Sequence, residues 1–302
     1  MRTFVRRILI AVLALGGMAP SGTTVCQAQH SKGPLTLGDI RVYRLQDAEF
    51  YLPVSLLSGI DRESAIRLSG GIDSARTPAN AFLVRTAHHV VLVDAGMGKY
   101  PGENSGHLMD GLKDAGVDPG QVDLVLITHF HFDHIGGLLT PDGKRAFPNA
   151  IVRSSKVEGE FWLGDTAQLP ANLRVRGAQT KAIFAPYVSA GRFKPCDSNE
   201  DLGDGIRAIA AYGHTPGHMV YTFTSKGKQL WCIGDLIHFG AVQFEHPSAG
   251  VSFDSDGQKA VAARLDFFRR AADANAYLAA AHIPAIVRLA KKEDGFTATP
   301  VR

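Results

Sequence analysis

Short apolar runs ending at Gly, Asp or His recur along the chain: Ala81 to Val84, Val90 to Val93, Leu124 to Ile127, Ile206 to Ala210, Met219 to Phe223 and Leu230 to Ile233. Such runs, bounded by turn-forming residues, predict strands buried on at least one face. Helical patterns lie between them, notably Gly106 to Ala115 and the Ala-, Arg- and Leu-rich stretch Gly257 to Ala280. Strands mixed with helices predict a layered α/β or α+β fold. No Gly/Ser linker, internal repeat or long charge block divides the chain, so a single domain is expected.

The residues that follow these runs carry the chemistry. Asp94-Ala-Gly-Met-Gly98 follows the second run, His129 to His134 the third, Gly213 to His218 the region around Ala211, and Gly234-Asp235 the last, while His282 closes the long helical pattern. Polar loops at strand ends can converge on one rim of a rigid scaffold. His129 and His131 are two apart, so in an extended segment they face the same side. Asp133 and His134 come where the chain is expected to enter a helix, with Gly136-Gly137 read as permitting a tight turn. Imidazole and carboxylate donors suit zinc, and four of them so close in sequence can reach two ions. His218 is expected to hydrogen-bond locally around Thr215 to Gly217, and His88-His89 to form a solvated hairpin. His30, His107 and His246 have no ligand spacing.

Charge and compartment narrow the picture. Arg2, Arg6 and Arg7, the apolar Ile8 to Leu15 and the small-x-small Cys26-Gln27-Ala28 together predict a secretory signal over residues 1–28, a mature domain over 29–302, and export to the periplasm or medium. The apolar stretch is short for a membrane span, so no stable membrane anchor is expected after cleavage. The chain holds 32 basic and 29 acidic residues; removing the three arginines of the leader leaves 29 against 29. No basic stripe remains, which argues against a nucleic-acid partner. Cys232 lies in an apolar run and reads as a buried thiol, although outside the cytoplasm a disulfide with Cys196 is permitted.

The ordered set of Asp94, His129-x-His131-x-Asp133-His134, His214, Asp235 and His282 resembles the metallo-β-lactamase fold superfamily over nearly all of the mature chain. Within it, "AFPNAIVR", "FW", "YVSAGRFKP", "GHTPGH" and "AVQFEHPS" are most similar to the methyl parathion hydrolase group. The resemblance implies a four-layer αββα sandwich with two divalent metal ions, zinc foremost, at the edge between its sheets. It implies one ion on His129, His131 and His214, a second on Asp133, His134 and His282, and Asp235 as the bridge. Asp94 would orient a ligand from behind.

The implied activity is hydrolysis by a metal-bridging hydroxide of lactones, aryl esters or organophosphate triesters. β-Lactam hydrolysis is the alternative, disfavoured because β-lactamases typically lack an aspartate bridge, and an iron-dependent sulfur oxygenase is a third. Asp133 and Asp235 are the expected catalytic carboxylates. His238, in "GDLIHF", stands where lactonase relatives commonly carry tyrosine; it is read as a catalytic donor facing the substrate pocket, or as an outward-facing residue at the strand end. The expected substrate is small and neutral or apolar, with Trp162 and Phe184 lining its pocket and Phe130 and Phe132 as further aromatic candidates. The segments Leu52 to Ala79 and Gly164 to Gln179 are expected to shape that pocket. A homodimer is the one assembly considered.

Overall fold

Alternation along the strands sorts side chains between three cores, and so dictates the layers. Val91, Val93 and Leu126 point one way, into a core shared with Ile206, Met219, Tyr221, Phe223 and Cys232 of a second sheet. Leu92 and Val125 point the other way, against helix residues Leu108, Leu112, Ile183 and Phe184. Val220, Trp231 and Leu278 turn outward from the second sheet onto Phe267, Phe268 and Ala271 of a helix. Each large apolar side chain so buried contributes about 1.5–3 kcal/mol. The result is a helix–sheet–sheet–helix sandwich, as the sequence led one to expect. In this computed structural model the described residues are 33–98 and 104–301, so the leader expected over residues 1–28 lies outside them.

The first sheet has six strands in the order Leu35–Leu37, Ile40–Pro53, Ser74–Arg85, Val90–Val93, Leu124–Leu126 and Ile151–Arg153; the last three run parallel. Strands buried on both faces read as continuous apolar runs, which is why the fourth and fifth of them were visible in the sequence. The second sheet has seven strands in the order Phe296–Pro300, Val287–Lys291, Tyr277–Ala279, Lys228–Cys232, Met219–Ser225, Ile206–Ala210 and Asn199–Gly203. Tyr277–Ala279 runs parallel to Lys228–Cys232, and the hairpin partner Met219–Ser225 is antiparallel to both of its neighbours. The ends followed by Asp94, His129, His214, Asp235 and His282 therefore share one edge of the sandwich.

The helical pattern Gly257 to Ala280 needs correction at its end. The helix is Gly257–Asp273, and its buried stripe of Ala260, Arg264, Phe267, Phe268 and Ala271 keeps helical spacing. It stops where Asn275 takes a left-handed φ of 51°. The amides of Asn275 and Ala276 then bond back to the carbonyls of Ala272 and Ala271 in a Schellman closure. The alanines that follow enter the strand Tyr277–Ala279, so His282 follows a strand, like the other histidines of this edge. His88 and His89 lie at the expected hairpin, where His89 Nδ1 is 2.8 Å from Asp123.

Candidate metal centre

Two groups of donors meet at this edge: His129, His131, His214 and Asp235, and Asp133, His134, Asp235 and His282. Within each group the donor atoms lie within 4.8 Å of one another, and Asp235 belongs to both. Its Oδ2 is 3.2 Å from His214 Nε2, 3.2 Å from His282 Nε2 and 3.5 Å from His129 Nε2. Its Oδ1 is 3.1 Å from His134 Nε2. His131 presents Nδ1, 3.0 Å from His214 Nε2. His129 Nε2, His134 Nε2 and Asp235 Oδ1 are buried without a hydrogen-bond partner. Buried polar atoms are rarely left unsatisfied, and nitrogen and carboxylate donors aimed at shared points fit divalent cations of the zinc type.

Three of the remaining ring nitrogens are tied down from behind, which decides which nitrogen faces inward. His134 Nδ1 lies 2.9 Å from Asp94 Oδ2, His214 Nδ1 2.8 Å from Asp254 Oδ1, and His282 Nδ1 2.8 Å from the Pro78 carbonyl. Asp94 also accepts from the Thr128 amide and hydroxyl, and holds a φ of 59°, a strained value for a residue with a side chain. Asn80, on the first sheet, donates to the carbonyls of Ala281 and Ile283, clamping the loop that bears His282.

Electrostatics follow from this crowding. Burial pulls His214 down, but Asp235 and Asp254 outweigh it and leave the imidazole up at about 9. Burial would raise Asp235, yet His134, His282 and His129 hold it well below the carboxylate range. Burial pushes His129 and His131 well below the usual imidazole value, and neighbouring imidazoles add to the shift.

A family model of the metallo-beta-lactamase superfamily matches residues 75–282, which hold every donor named above. The chain belongs to this superfamily. Among superfamily structures it is similar to the hydrolase AbOPH, with TM-score 0.83 and 31% identity over 89% of this chain and 97% of that one. It is also similar to AidC, a dizinc quorum-quenching lactonase, with TM-score 0.82 and 27% identity over the same shares of each chain. The protein YobT of Bacillus subtilis is 30% identical over 155 residues, 51% of this chain and 60% of YobT.

Three expectations about this superfamily member's site change. Trp162 and Phe184 do not line a pocket: both are fully buried, Trp162 donating its indole N–H to Glu158 at 2.9 Å and Phe184 stacking on Phe130 at 4.2 Å. An aromatic residue beside a metal-ligand loop packs as readily beneath it as above it, and these pack beneath. The rings that meet the imidazoles are Phe50, 5.6 Å from His282, and Phe253, 4.9 Å from His238 and 5.9 Å from His214. His218 reaches beyond its own turn, its Nε2 accepting the Asp235 amide at 3.0 Å. Gly234 makes this approach possible, because it has a φ of 48° and any Cβ would stand 2.6 Å from that nitrogen.

His238 is buried, not outward-facing. Its Nε2 is 3.0 Å from Asp235 Oδ2, and its ring stacks on His282 at 4.9 Å. The segment Leu52 to Ala79 packs Val54 and Ala65 against Phe239 and Val242, just past Asp235.

Sequence reasoning missed Glu158 and Asp254. "SSKVE" reads as a helix-capping pattern that would leave the glutamate at the surface, and Asp254 sits in a stretch with the look of a turn. Neither carries a sequence signal of burial.

Proposed function

We propose that this protein is a dinuclear metal hydrolase that opens lactones and cleaves aryl esters, with organophosphate triesters as a further class. The observation that carries the reading is the single Asp235 carboxylate shared by both donor groups, its oxygens 3.1–3.5 Å from four of the ligand imidazoles. Two bound divalent ions would supply hydroxide near neutral pH and polarise the substrate oxygen. His129, His131 and His214 would hold one ion, Asp133, His134 and His282 the other, with Asp235 between them and zinc the expected metal.

The chain's own part is to hold these side chains and to shape what reaches them. Asp133 is the most exposed carboxylate of the set, its side chain 21% accessible against 3% for Asp235, so it faces incoming substrate. Phe50 and Phe253 offer neutral aromatic surface beside the imidazoles. A competing thiol nucleophile has no support: both described cysteines are free and buried, and burial pushes Cys196 up to about 11. Similarity to a lactonase supports the carbon-ester classes. The likeness of "GHTPGH" and its companion motifs to methyl parathion hydrolases supports the phosphotriesters.

The test is a panel of lactones, aryl esters, phosphotriesters and β-lactams assayed on zinc-loaded protein, alongside metal analysis and oxygen uptake of protein purified without added metal. Metal-dependent turnover of lactones or aryl esters is expected. Stoichiometric iron with oxygen consumption, or no turnover of any class, would overturn the proposal.

A further inference from the structure

Glu158 is a buried carboxylate outside both donor groups. It sits in the first turn of the helix Lys156–Leu163, where Ser155 caps the helix by accepting from its amide. Its side chain turns inward and takes four hydrogen bonds. Oε1 accepts from the Phe130 amide at 2.9 Å and Trp162 Nε1 at 2.9 Å. Oε2 accepts from the Thr215 hydroxyl at 2.9 Å and the Gly217 amide at 2.8 Å. Gly217 is pressed so close that a Cβ there would stand 2.2 Å from the Glu158 amide nitrogen.

The placement of these donors is selective. Phe130 lies between His129 and His131, at the end of its loop away from Asp133 and His134, and Thr215 is next to His214, so the carboxylate ties together the backbone flanking the three histidines of one donor group. His134 and His282 are held by other partners, Asp94 and the Pro78 carbonyl. Burying a carboxylate with no cation beside it is costly, and burial pushes Glu158 above its ordinary range against the pull of its donors. A neutral or apolar residue would fill the same space without that cost.

We infer that Glu158 is a positioning residue that registers the His129–His131 loop against the His214 loop, and so sets the affinity of the ion held by His129, His131 and His214 without setting that of the other ion. The inference rests on the dinuclear reading. Replacing one oxygen by an amide in Glu158→Gln aims a donor at groups that are themselves donors, and loosens the register while keeping the volume.

The test is zinc titration by calorimetry in two backgrounds, with circular dichroism as the fold control. In Asp133→Ala, which disables the second group, adding Glu158→Gln should weaken the remaining ion by about 10–100-fold, the usual cost of removing a partner behind a ligand. In His131→Ala, which disables the first group, adding Glu158→Gln should leave the remaining ion unchanged. Thr215→Val, which removes one donor of the four, should act in the same direction but less, and it serves if Glu158→Gln does not fold. Trp162 emission should shift with Glu158→Gln, since its indole loses a charged acceptor. Equal weakening in both backgrounds makes Glu158 a merely structural residue, and no weakening in either removes its role; both overturn the inference. A wild-type chain that binds fewer than two zinc ions refutes the dinuclear reading instead.

Discussion

Asp235 and His238 show how much one side chain can decide. Replacing Asp235 by alanine removes the only group common to both donor sets, so Asp235→Ala should lower bound zinc from two equivalents to one or fewer and nearly abolish turnover. The circular dichroism spectrum should stay close to wild type. Metal analysis of the purified variant decides this, and two retained ions would remove Asp235 from the bridge. His238 is a separate case. Asp235 is ionised in its crowd of imidazoles, so the nitrogen 3.0 Å from Oδ2 must carry the proton and donate it. Burial lowers His238 to about 4, which leaves a neutral ring at pH 7. A ring so engaged steadies the carboxylate and has no spare proton for a leaving group. His238→Leu should therefore reduce kcat/KM about equally for substrates with good and poor leaving groups, by about 10–100-fold. His238→Gln, which keeps a donor, should recover part of the loss. A loss confined to poor leaving groups would restore the proton-donor role.

At the scale of elements, the Gly136-Gly137 pair illustrates a right residue noticed for the wrong reason. The pair was expected to relax a tight turn, but Gly136 has an ordinary helical φ of −58°. What it needs is the absence of a Cβ: one at Gly136 would stand 2.1 Å from the Met97 carbonyl, and one at Gly137 2.0 Å from that of Ala95. The loop bearing Asp94 thereby packs onto the turn bearing His134. Gly136→Ala should cost about 1–3 kcal/mol, as overpacking does, and weaken the ion near His134. Urea unfolding and zinc titration measure the two effects, and unchanged values in both would mean that the loops part without penalty.

The apolar strands and their polar ends were legible because period and punctuation agree there. The strand Ile40–Pro53 was not, since Arg41, Arg44, Gln46, Asp47 and Glu49 interrupt its pattern and a bulge between Gln46 and Ala48 breaks its register. The bulge buries Asp47, whose carboxylate accepts the amides of Met97 and Leu108. The cluster His129, His131 and His134 was legible because its spacing is local, whereas His214 and His282 stand singly at other strand ends. Their supports, Glu158 and Asp254, bond to the ligand loops from 28 to 59 residues away in the chain and leave no such trace.

Across the whole molecule, the two sheets are joined at the edge where buried imidazoles and carboxylates meet, so metal occupancy and fold stability are linked. Without metal, His214 keeps its proton, held by Asp235 and Asp254 up to about 9. That ion-pair contribution is fully present below the unfolded imidazole value of about 6.5 and fades as pH rises through about 9. Metal binding has the opposite dependence, because a ligand imidazole must first lose its proton. Zinc affinity should rise with pH between about 6 and 9, with protons released on binding. Calorimetry in buffers of different ionisation enthalpy would detect this release, and pH-independent affinity would contradict it. Chelation should lower the melting temperature and zinc should restore it; saturation at 1,000-fold above Kd adds about 4 kcal/mol.

The most direct measurement is lactone and aryl-ester turnover by the metal-free protein as zinc is added back in counted equivalents. A centre bridged by Asp235 should show turnover that climbs to saturation at two equivalents in the wild-type chain and fails to appear in Asp235→Ala. Saturation at a single equivalent, or two tightly bound ions with no turnover of either substrate class, would contradict it.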